Sequence, residues 1–435
     1  MTIKQHLKKN ITLAFPVMVG QLGHIMVVVA DTAMVGRVGV IPLAGATYAG
    51  TFYHLLMLFG IGVSYAITPL VAATNPTDRN RLIGFLENAF VLNLMLGILL
   101  FLLGLAIWPF LGYFGQEADV VAAAKPYLLI VSASLVPLMV FQTFRQYTEG
   151  LSDTFNPMVI SIVTNLLNVG LNYLLIFGHF GFPALGLNGA GYATLIARVV
   201  MAVLMMAVIY PKWKGMVLRF DTGQLTKMLR LGLPSGLQYI FEVGAFAMAA
   251  IMVGWIGAEA LAAHQIALNL AAISYMAATG IAAASTIRIG NQIGLKDLVN
   301  LKMAGYSCMG LVTVFMGFCG LVFIVFRHAL VALYIDDPGV QALAASLLII
   351  AAGFQVSDGL QTVGLGVLRG LTDVKVPTIV TFVSFWLIAI PGSYLLGFVF
   401  DLGIKGVWYA LSAGLSIAAV MHILRFRAKT KDLRF

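Results

Sequence analysis

Twelve long apolar stretches separated by short polar breaks make up almost the whole chain. They run over about 11–35, 44–72, 84–110, 123–148, 157–178, 188–210, 229–254, 262–289, 303–327, 342–368, 377–400 and 405–424. Each reaches the ~20 residues that an α-helix needs to cross the hydrocarbon layer of a bilayer. Backbone in lipid must satisfy its own hydrogen bonds, so runs of this kind fold as helices. The pattern predicts an all-α membrane protein with twelve transmembrane helices. Even spacing leaves no room for a water-soluble domain. The longest polar connection, about 211–228, holds Pro211, Lys212, Lys214, Arg219, Asp221 and Lys227 and lies near mid-chain. It predicts an N-terminal six-helix lobe over 1–213, a cytoplasmic linker over 214–226 and a C-terminal six-helix lobe over 227–435.

The two halves resemble each other. Met34-Val35-Gly36-Arg37-Val38-Gly39 matches Met252-Val253-Gly254-Trp255-Ile256-Gly257 at an offset of 218, which also brings Leu43-Ala44 onto Leu261-Ala262 and Pro16 onto Pro234. Further on, Gly150-Leu151-Ser152-Asp153 and Pro157 match Gly370-Leu371-Thr372-Asp373 and Pro377 at an offset of 220. Two pseudo-symmetric bundles of six helices, each starting on the same side, form a parallel repeat about an axis along the membrane normal. Repeats of this type characterise secondary transporters that work by alternating access.

Composition agrees with lipid as the solvent. Hydrophobic residues make up 60% of the 435, charged residues only 10%, and mean hydropathy is +0.97. Soluble domains carry about 25% charged residues. The net charge of +9 would point to nucleic acid in a soluble protein; here the distribution of basic residues gives it another meaning. With the N-terminus in the cytoplasm, 21 of the 26 Lys and Arg residues fall on cytoplasmic positions. Arg37, Lys125, Arg327 and Lys405 fall outside, and Arg198 lies within the membrane. That asymmetry follows the positive-inside rule and predicts both termini cytoplasmic. The basic start over Met1–Asn10 mimics a signal peptide, but the apolar run behind it is too long and lacks a small-residue cleavage site, so a retained helix is expected. Cys308 and Cys319 are eleven residues apart on one stretch, roughly 16 Å along a helix, too far for a disulfide. A multi-pass monomer in a cell membrane, the bacterial inner membrane, is expected, with lipid around it and no nucleic-acid partner.

The acidic residues carry the chemistry. Of 17, thirteen fall in loops or at helix ends, and Glu87 lies about two turns inside the third stretch. Three remain deep in apolar sequence: Asp31, Glu242 and Asp358. A carboxylate at the centre of a transmembrane helix costs on the order of 2.5–3.5 kcal/mol on insertion scales, so one retained there normally faces a cavity and binds something. The bland alternative is an ion pair, with Arg198 as the available intramembrane partner. Asn165, Asn168 and Asn172 follow steps of three and four and share one face of the fifth helix, as a polar cavity wall or as interhelical hydrogen bonds. Gln238, Gln265, Asn269 and Gln361 add polarity to helices seven, eight and ten. Tyr275 and Phe354 offer aromatic faces to a drug-like cation. His24, His54 and His264 are isolated and read as packing. No phosphate loop, HExxH, GxSxG or diphosphate motif occurs in the sequence, so no enzyme and no cofactor is expected.

These residues together resemble the multidrug and toxic compound extrusion (MATE) family, NorM-like branch, over essentially the whole chain. The resemblance rests on Ala30-Asp31-Thr32-Ala33-Met34-Val35-Gly36, Phe241-Glu242-Val243, Ala262-Ala263-His264-Gln265-Ile266-Ala267-Leu268-Asn269 and Leu368-Arg369-Gly370. It implies antiport of cationic, often aromatic compounds against a coupling ion, Na⁺ or H⁺. On this resemblance Asp31, Asn168 and Asn172 take the family's N-lobe positions, and Glu242 and Asp358 take the C-lobe carboxylates associated with a monovalent cation. Where some relatives carry tyrosine one turn before the helix-ten aspartate, this chain has Phe354. The rival reading is a lipid-linked-oligosaccharide flippase of the same superfamily. Such a protein needs a cationic cavity, whereas three deep acids stand here against one arginine.

Overall fold

The computed structural model describes residues 1–213 and 220–433. Residues 214–219 of the expected linker, with Lys214 and Arg219, lie outside the described residues, as does Arg434. Twelve helices long and apolar enough to cross a membrane follow one another. They are α1 (Ile3–Gly36), α2 (Val40–Ala72), α3 (Arg79–Phe114), α4 (Ala118–Gly150), α5 (Phe155–Phe177) and α6 (Leu187–Pro211). The second half comprises α7 (Thr222–Ile256), α8 (Ala258–Gly294), α9 (Leu298–Ala332), α10 (Pro338–Gly370), α11 (Lys375–Val399) and α12 (Gly403–Asp432). No strand occurs among the described residues. Every expected apolar stretch is a helix. Several extend by one or two turns beyond the apolar sequence, because the 3.6-residue repeat continues into polar residues that hydropathy alone does not count. In particular α7 begins at Thr222, inside the segment expected to be linker.

Lipid exposure is visible on α9. Val314, Phe318, Leu321 and Val325, spaced by three and four, are each more than half exposed. They form one continuous apolar stripe that only a hydrocarbon solvent accommodates.

The repeat read from sequence is a repeat of contacts. Gly39 and Gly257 each sit at φ near +150°, a conformation closed to residues with a Cβ, and each turns the chain sharply into the next helix. Gly150 lies so close to α2 that a Cβ would stand 2.7 Å from Val71 Cβ; at the equivalent Gly370 it would stand 2.6 Å from Ile289 Cβ. The Thr68 hydroxyl donates to the carbonyl of Gln146 on α4 at 3.1 Å, and the Thr286 hydroxyl to that of Gly366 on α10 at 2.8 Å. Both α3 and α9 start on an aspartate, Asp78 or Asp297, whose carboxylate accepts from a backbone N–H three residues on and so caps the first turn.

The compact units do not follow the linear division of the chain. One comprises Val19–Gly236 and is called the N-lobe here; the other comprises Met1–Met18 with Leu237–Phe435 and is called the C-lobe. The boundary expected between 213 and 227 therefore shifts into α7, and a second boundary appears inside α1. Each crossing falls two residues after an in-helix proline, Pro16 or Pro234, where the missing N–H and the ring weaken helical continuity. The first part of α7 packs on α2 of the N-lobe: a Cβ on Gly236 or Gly232 would stand 2.9 Å from a Val63 side-chain methyl. The first part of α1 packs on α8 of the C-lobe, with Ala14 and Met18 against Gly280.

A buried polar cluster anchors that first part of α1. His6 and Asn10 are fully buried, and Arg288 is nearly so. Arg288 donates to His6 Nδ1 at 2.9 Å and to Asn10 Oδ1 at 3.3 Å. His6 Nε2 then donates to Asn300 Oδ1 at 3.0 Å, and Asn10 Nδ2 to Ser307 Oγ at 2.8 Å. Since Nδ1 accepts from a guanidinium, the ring is neutral with its proton on Nε2. The C-lobe has two apolar clusters, one around Trp408, Phe385 and Leu348 and another around Met316, Val363 and Phe426 that takes in Ala14 of this first part of α1.

Candidate functional site

In the N-lobe, α1, α2, α4, α5 and α6 enclose a cavity of about 410 Å³. Asp31 lines it. Gly23 lets α1 approach α5 closely, since a Cβ there would stand 3.3 Å from Asn165 Nδ2. The asparagine stripe faces this space: Asn165 and Asn168 line the cavity, and Asn168 and Asn172 are buried. Asn172 Nδ2 donates a short hydrogen bond to Asp31 Oδ1. The amide orientation of Asn168 that satisfies its surroundings puts Nδ2 3.0 Å from the same carboxylate oxygen, with its own oxygen accepting from the Thr194 N–H at 3.3 Å. Two neutral amides thus hold one oxygen of Asp31 without neutralising it. Among the described residues no cationic side chain lies within ion-pair distance of Asp31.

The cavity contains residues that sequence reading passed over, Tyr53, Met57, Tyr127, Thr164 and Thr194, and two that it assigned to packing, His24 and His54. His54 Nδ1–H donates to the Gly50 carbonyl at 2.6 Å, which leaves Nε2 as the acceptor of the neutral ring. Arg198, expected as a partner for the deep acids, also lines the cavity but is not bonded to any of them. Its Nη1 donates to Ser134 Oγ at 2.8 Å, its Nη2 contacts Met57 Sδ at 3.5 Å, and its guanidinium lies over the Tyr53 ring at 5.4 Å. Only the isolated polar residues in α2 and α6 signalled these positions.

In the C-lobe, Glu242 of α7 and Asp358 of α10 are buried and close enough for their charges to interact. The Tyr275 hydroxyl of α8 donates to Glu242 Oε1 at 3.3 Å. Gln361 stands beside Glu242, with a buried Nε2 that meets no acceptor in bonding geometry. Three of the expected residues therefore converge: Glu242, Tyr275 and Asp358. Two do not. Phe354 is buried in the apolar core with its ring 5.6 Å from that of Trp408, and Trp408 in turn donates to His264 Nδ1 at 3.0 Å. Gln265 is exposed, and its nearest polar partner is Asn269 at 3.5 Å. Phe354 and Asp358 are four residues apart and share a face of α10, but the rise of about one turn between them sets the Phe354 ring in the layer of Trp408. Buried groups of this kind, two carboxylates with a phenol and an amide, are hard oxygen donors suited to a small hard cation or a proton. No cluster of three or more His, Cys, Asp or Glu occurs among the described residues.

The ion pairs among the described residues, Arg145–Glu149 at 2.7 Å and Arg425–Asp373 at 2.7 Å, leave all three deep acids out. Twelve membrane helices in two repeated bundles, each holding a deep acid that makes no ion pair among the described residues, define a multi-pass membrane transport protein. The MatE family model matches residues 16–174 and 234–395, one copy per half, and the chain belongs to the MatE family. It is 34% identical to the probable multidrug resistance protein NorM of Pseudomonas putida, over 98% of this chain and 95% of that one. The multidrug resistance protein NorM of Photobacterium profundum is 31% identical over 98% and 96%. An outward-facing multidrug resistance MATE family transporter of the MOP superfamily has the same fold, with a TM-score of 0.88 at 20% identity over 98% and 96% of the two chains. So has a MOP superfamily transporter from Pyrococcus furiosus, described as having a binding pocket of reverse polarity, with a TM-score of 0.87 at 20% identity over 98% and 96%. Shared fold thus does not fix the charge of the cavity, which has to be read from each chain's own residues.

Proposed function

We propose that the protein exports organic cations, aromatic ones included, in exchange for Na⁺ or H⁺ by alternating access, across a bacterial inner membrane with both termini in the cytoplasm. The observation that carries the reading is a set of deep carboxylates that make no ion pair among the described residues: half-buried Asp31 in the N-lobe, and buried Glu242 and Asp358 in the C-lobe. A buried negative group without a permanent partner is stabilised by a mobile positive one. The cation and the coupling ion are the candidates.

Asp31, steadied by Asn168 and Asn172, faces a cavity large enough for an aromatic guest. We assign the exported compound to that site. Glu242 and Asp358, with Tyr275, form the site assigned to Na⁺ or H⁺. Their mutual repulsion favours uptake of one positive charge. Expelling a monovalent cation against an inside-negative potential costs about 2.3 kcal/mol per 100 mV, and returning one Na⁺ or H⁺ cancels that electrical cost. The ion's concentration gradient then drives export. The negative residues also weigh against a flippase of lipid-linked oligosaccharides, whose diphosphate calls for basic groups.

The experiment is cation flux in proteoliposomes under separately imposed Na⁺ and pH gradients. Flux that responds to one of the two supports the reading and names the ion. Flux that ignores both gradients overturns the antiport assignment.

A further inference from the structure

The N-lobe cavity contains a buried cation as well as a buried anion. Arg198 is 8% exposed and makes no ion pair. A guanidinium has five N–H donors. Of these, one meets the Ser134 hydroxyl and one a thioether, Met57 Sδ, which is a weak acceptor. The Ser134 hydroxyl itself donates to the Val131 carbonyl at 2.6 Å, so its oxygen is oriented to receive Arg198. The ring of Tyr53 supports one face of the guanidinium, and the Tyr53 hydroxyl is directed at Met57 Sδ, 3.3 Å away. Arg198 is therefore held in place by neutral groups, and these two are its hydrogen-bond partners among the described residues.

A desolvated charge is costly unless another charge meets it. Asp31 makes no direct ion pair with Arg198, being engaged by Asn172 and Asn168. The other titratable groups lining the cavity are His24, His54, Tyr53 and Tyr127, none of them a carboxylate. A guest carrying only positive charge would meet Asp31 favourably and Arg198 unfavourably. A guest with an amine at one end and a carboxylate at the other would satisfy both.

We infer that Arg198 is an anion-recognising subsite of the N-lobe cavity, and that the compounds bound best are aromatic zwitterions whose cationic group pairs with Asp31 and whose carboxylate pairs with Arg198. This inference rests on the proposal that the exported compound occupies this cavity. A planar guanidinium suits a carboxylate because two parallel N–H groups bind its two oxygens. Arg198 is the one Lys or Arg among the described residues lining this cavity, and the C-lobe site, with its two acids, would repel a guest's acid group.

The test uses a matched pair of dyes, an N-unsubstituted rhodamine with its benzoate free and the methyl ester of the same dye, which is a cation only. Binding to the full-length protein in detergent is followed by fluorescence anisotropy. The wild-type protein binds the free acid more tightly than the ester. Arg198→Met weakens the acid about tenfold, as for loss of a charge-assisted contact, and leaves the ester unchanged or tighter. Arg198→Lys, which keeps the charge and a similar length, retains part of the preference and is read alone if the methionine variant does not fold. Equal weakening of both dyes, or no change in either, overturns the subsite. Flux of the same dyes in proteoliposomes separates the two ideas: Arg198-dependent binding without export would overturn the transport reading and keep the subsite.

Discussion

The two lobes share a scaffold and differ in chemistry. The tight contacts recur at constant offsets: Gly150 and Gly370 against their neighbours, Thr68 and Thr286 bonded to α4 and α10, Gly39 and Gly257 at the first turns. The charges do not recur. At the same offset Asp31 corresponds to Ala249, which is fully buried in apolar core, and Glu242 corresponds to His24, which lines the N-lobe cavity. The comparison separates two demands on the sequence. Packing is constrained wherever backbones touch, because a single methyl group has nowhere to go. Cavity-lining positions are free to change sign, and each lobe has acquired its own set: an acid with amides and an arginine in one, two acids with a phenol in the other.

The deepest test of that division is Asp358→Asn. Gradient-driven flux in proteoliposomes is expected to fall to background, roughly a hundredfold or more, because an amide neither takes up a proton nor carries charge for a cation. Protein yield and thermal unfolding should stay near wild type. Normal drug resistance in cells carrying this variant would sink the C-lobe assignment. Next in size, Asp31→Asn should weaken binding of a simple aromatic cation by about 30-fold, equivalent to the roughly 2 kcal/mol of a charged contact, measured by dye anisotropy. The ion dependence of the residual flux should be unchanged. Were the two variants to behave alike in both measurements, the lobes would not have separate roles.

The shared scaffold makes a different forecast. Gly150→Ala and Gly370→Ala should each cost about 1–3 kcal/mol through overpacking, read as similar drops in apparent Tm in detergent. Markedly unequal drops would show that the repeat is less symmetric in energy than in shape. Tyr275→Phe removes one hydroxyl from Glu242 and should weaken ion binding by about fivefold, or 1 kcal/mol, as a shift in the ion concentration at half-maximal flux.

The smallest expected effect concerns a helix cap outside the membrane. Asn300 donates to Asp297 from its backbone at 3.0 Å and from its side chain at 2.6 Å. Those hydrogen bonds hold the Asp297 carboxyl below the usual carboxylate range. A carboxyl lowered by folding stabilises the folded chain above its ordinary pKa, and that contribution disappears as pH falls through the folded value. The gap in Tm between wild type and Asn300→Ala should therefore narrow between about pH 6 and about pH 3. A gap independent of pH would place the effect of Asn300 elsewhere, for instance in its bond to His6.

Much of this was legible in the sequence, for reasons particular to membranes. Hydropathy reports depth in the bilayer, so all twelve helices were found. The offset of 218 shows in the glycines that backbone contact enforces. Buried acids in lipid are conspicuous, and Asp31, Glu242 and Asp358 were found by their cost alone. Which neighbour a side chain meets was harder to read. Phe354 is one turn from Asp358 yet faces Trp408, and Gln265 lies away from the acids, because spacing along a helix says little about which neighbour is met. Arg198 was noticed as a charge, but its partners, a serine at a break in α4 and a thioether, carry no signature. The division of α1 and α7 between lobes was also hidden: Pro16 and Pro234 mark weak points in a helix without saying what each side packs against.

That division of α1 has a consequence for how the protein is made. His6 and Asn10 leave the ribosome well before their partners Arg288, Asn300 and Ser307, which lie almost 300 positions downstream, with a separation of 294 for the His6–Asn300 bond. Ring closure over so long a chain is slow and comes late. Until α8 and α9 are in the membrane, the opening segment has two polar side chains and no place to bury them. This part of the C-lobe is completed only when α8 and α9 return to α1. A ribosome stalled before α9 should therefore leave a first helix open to protease, and completion of the chain should close it.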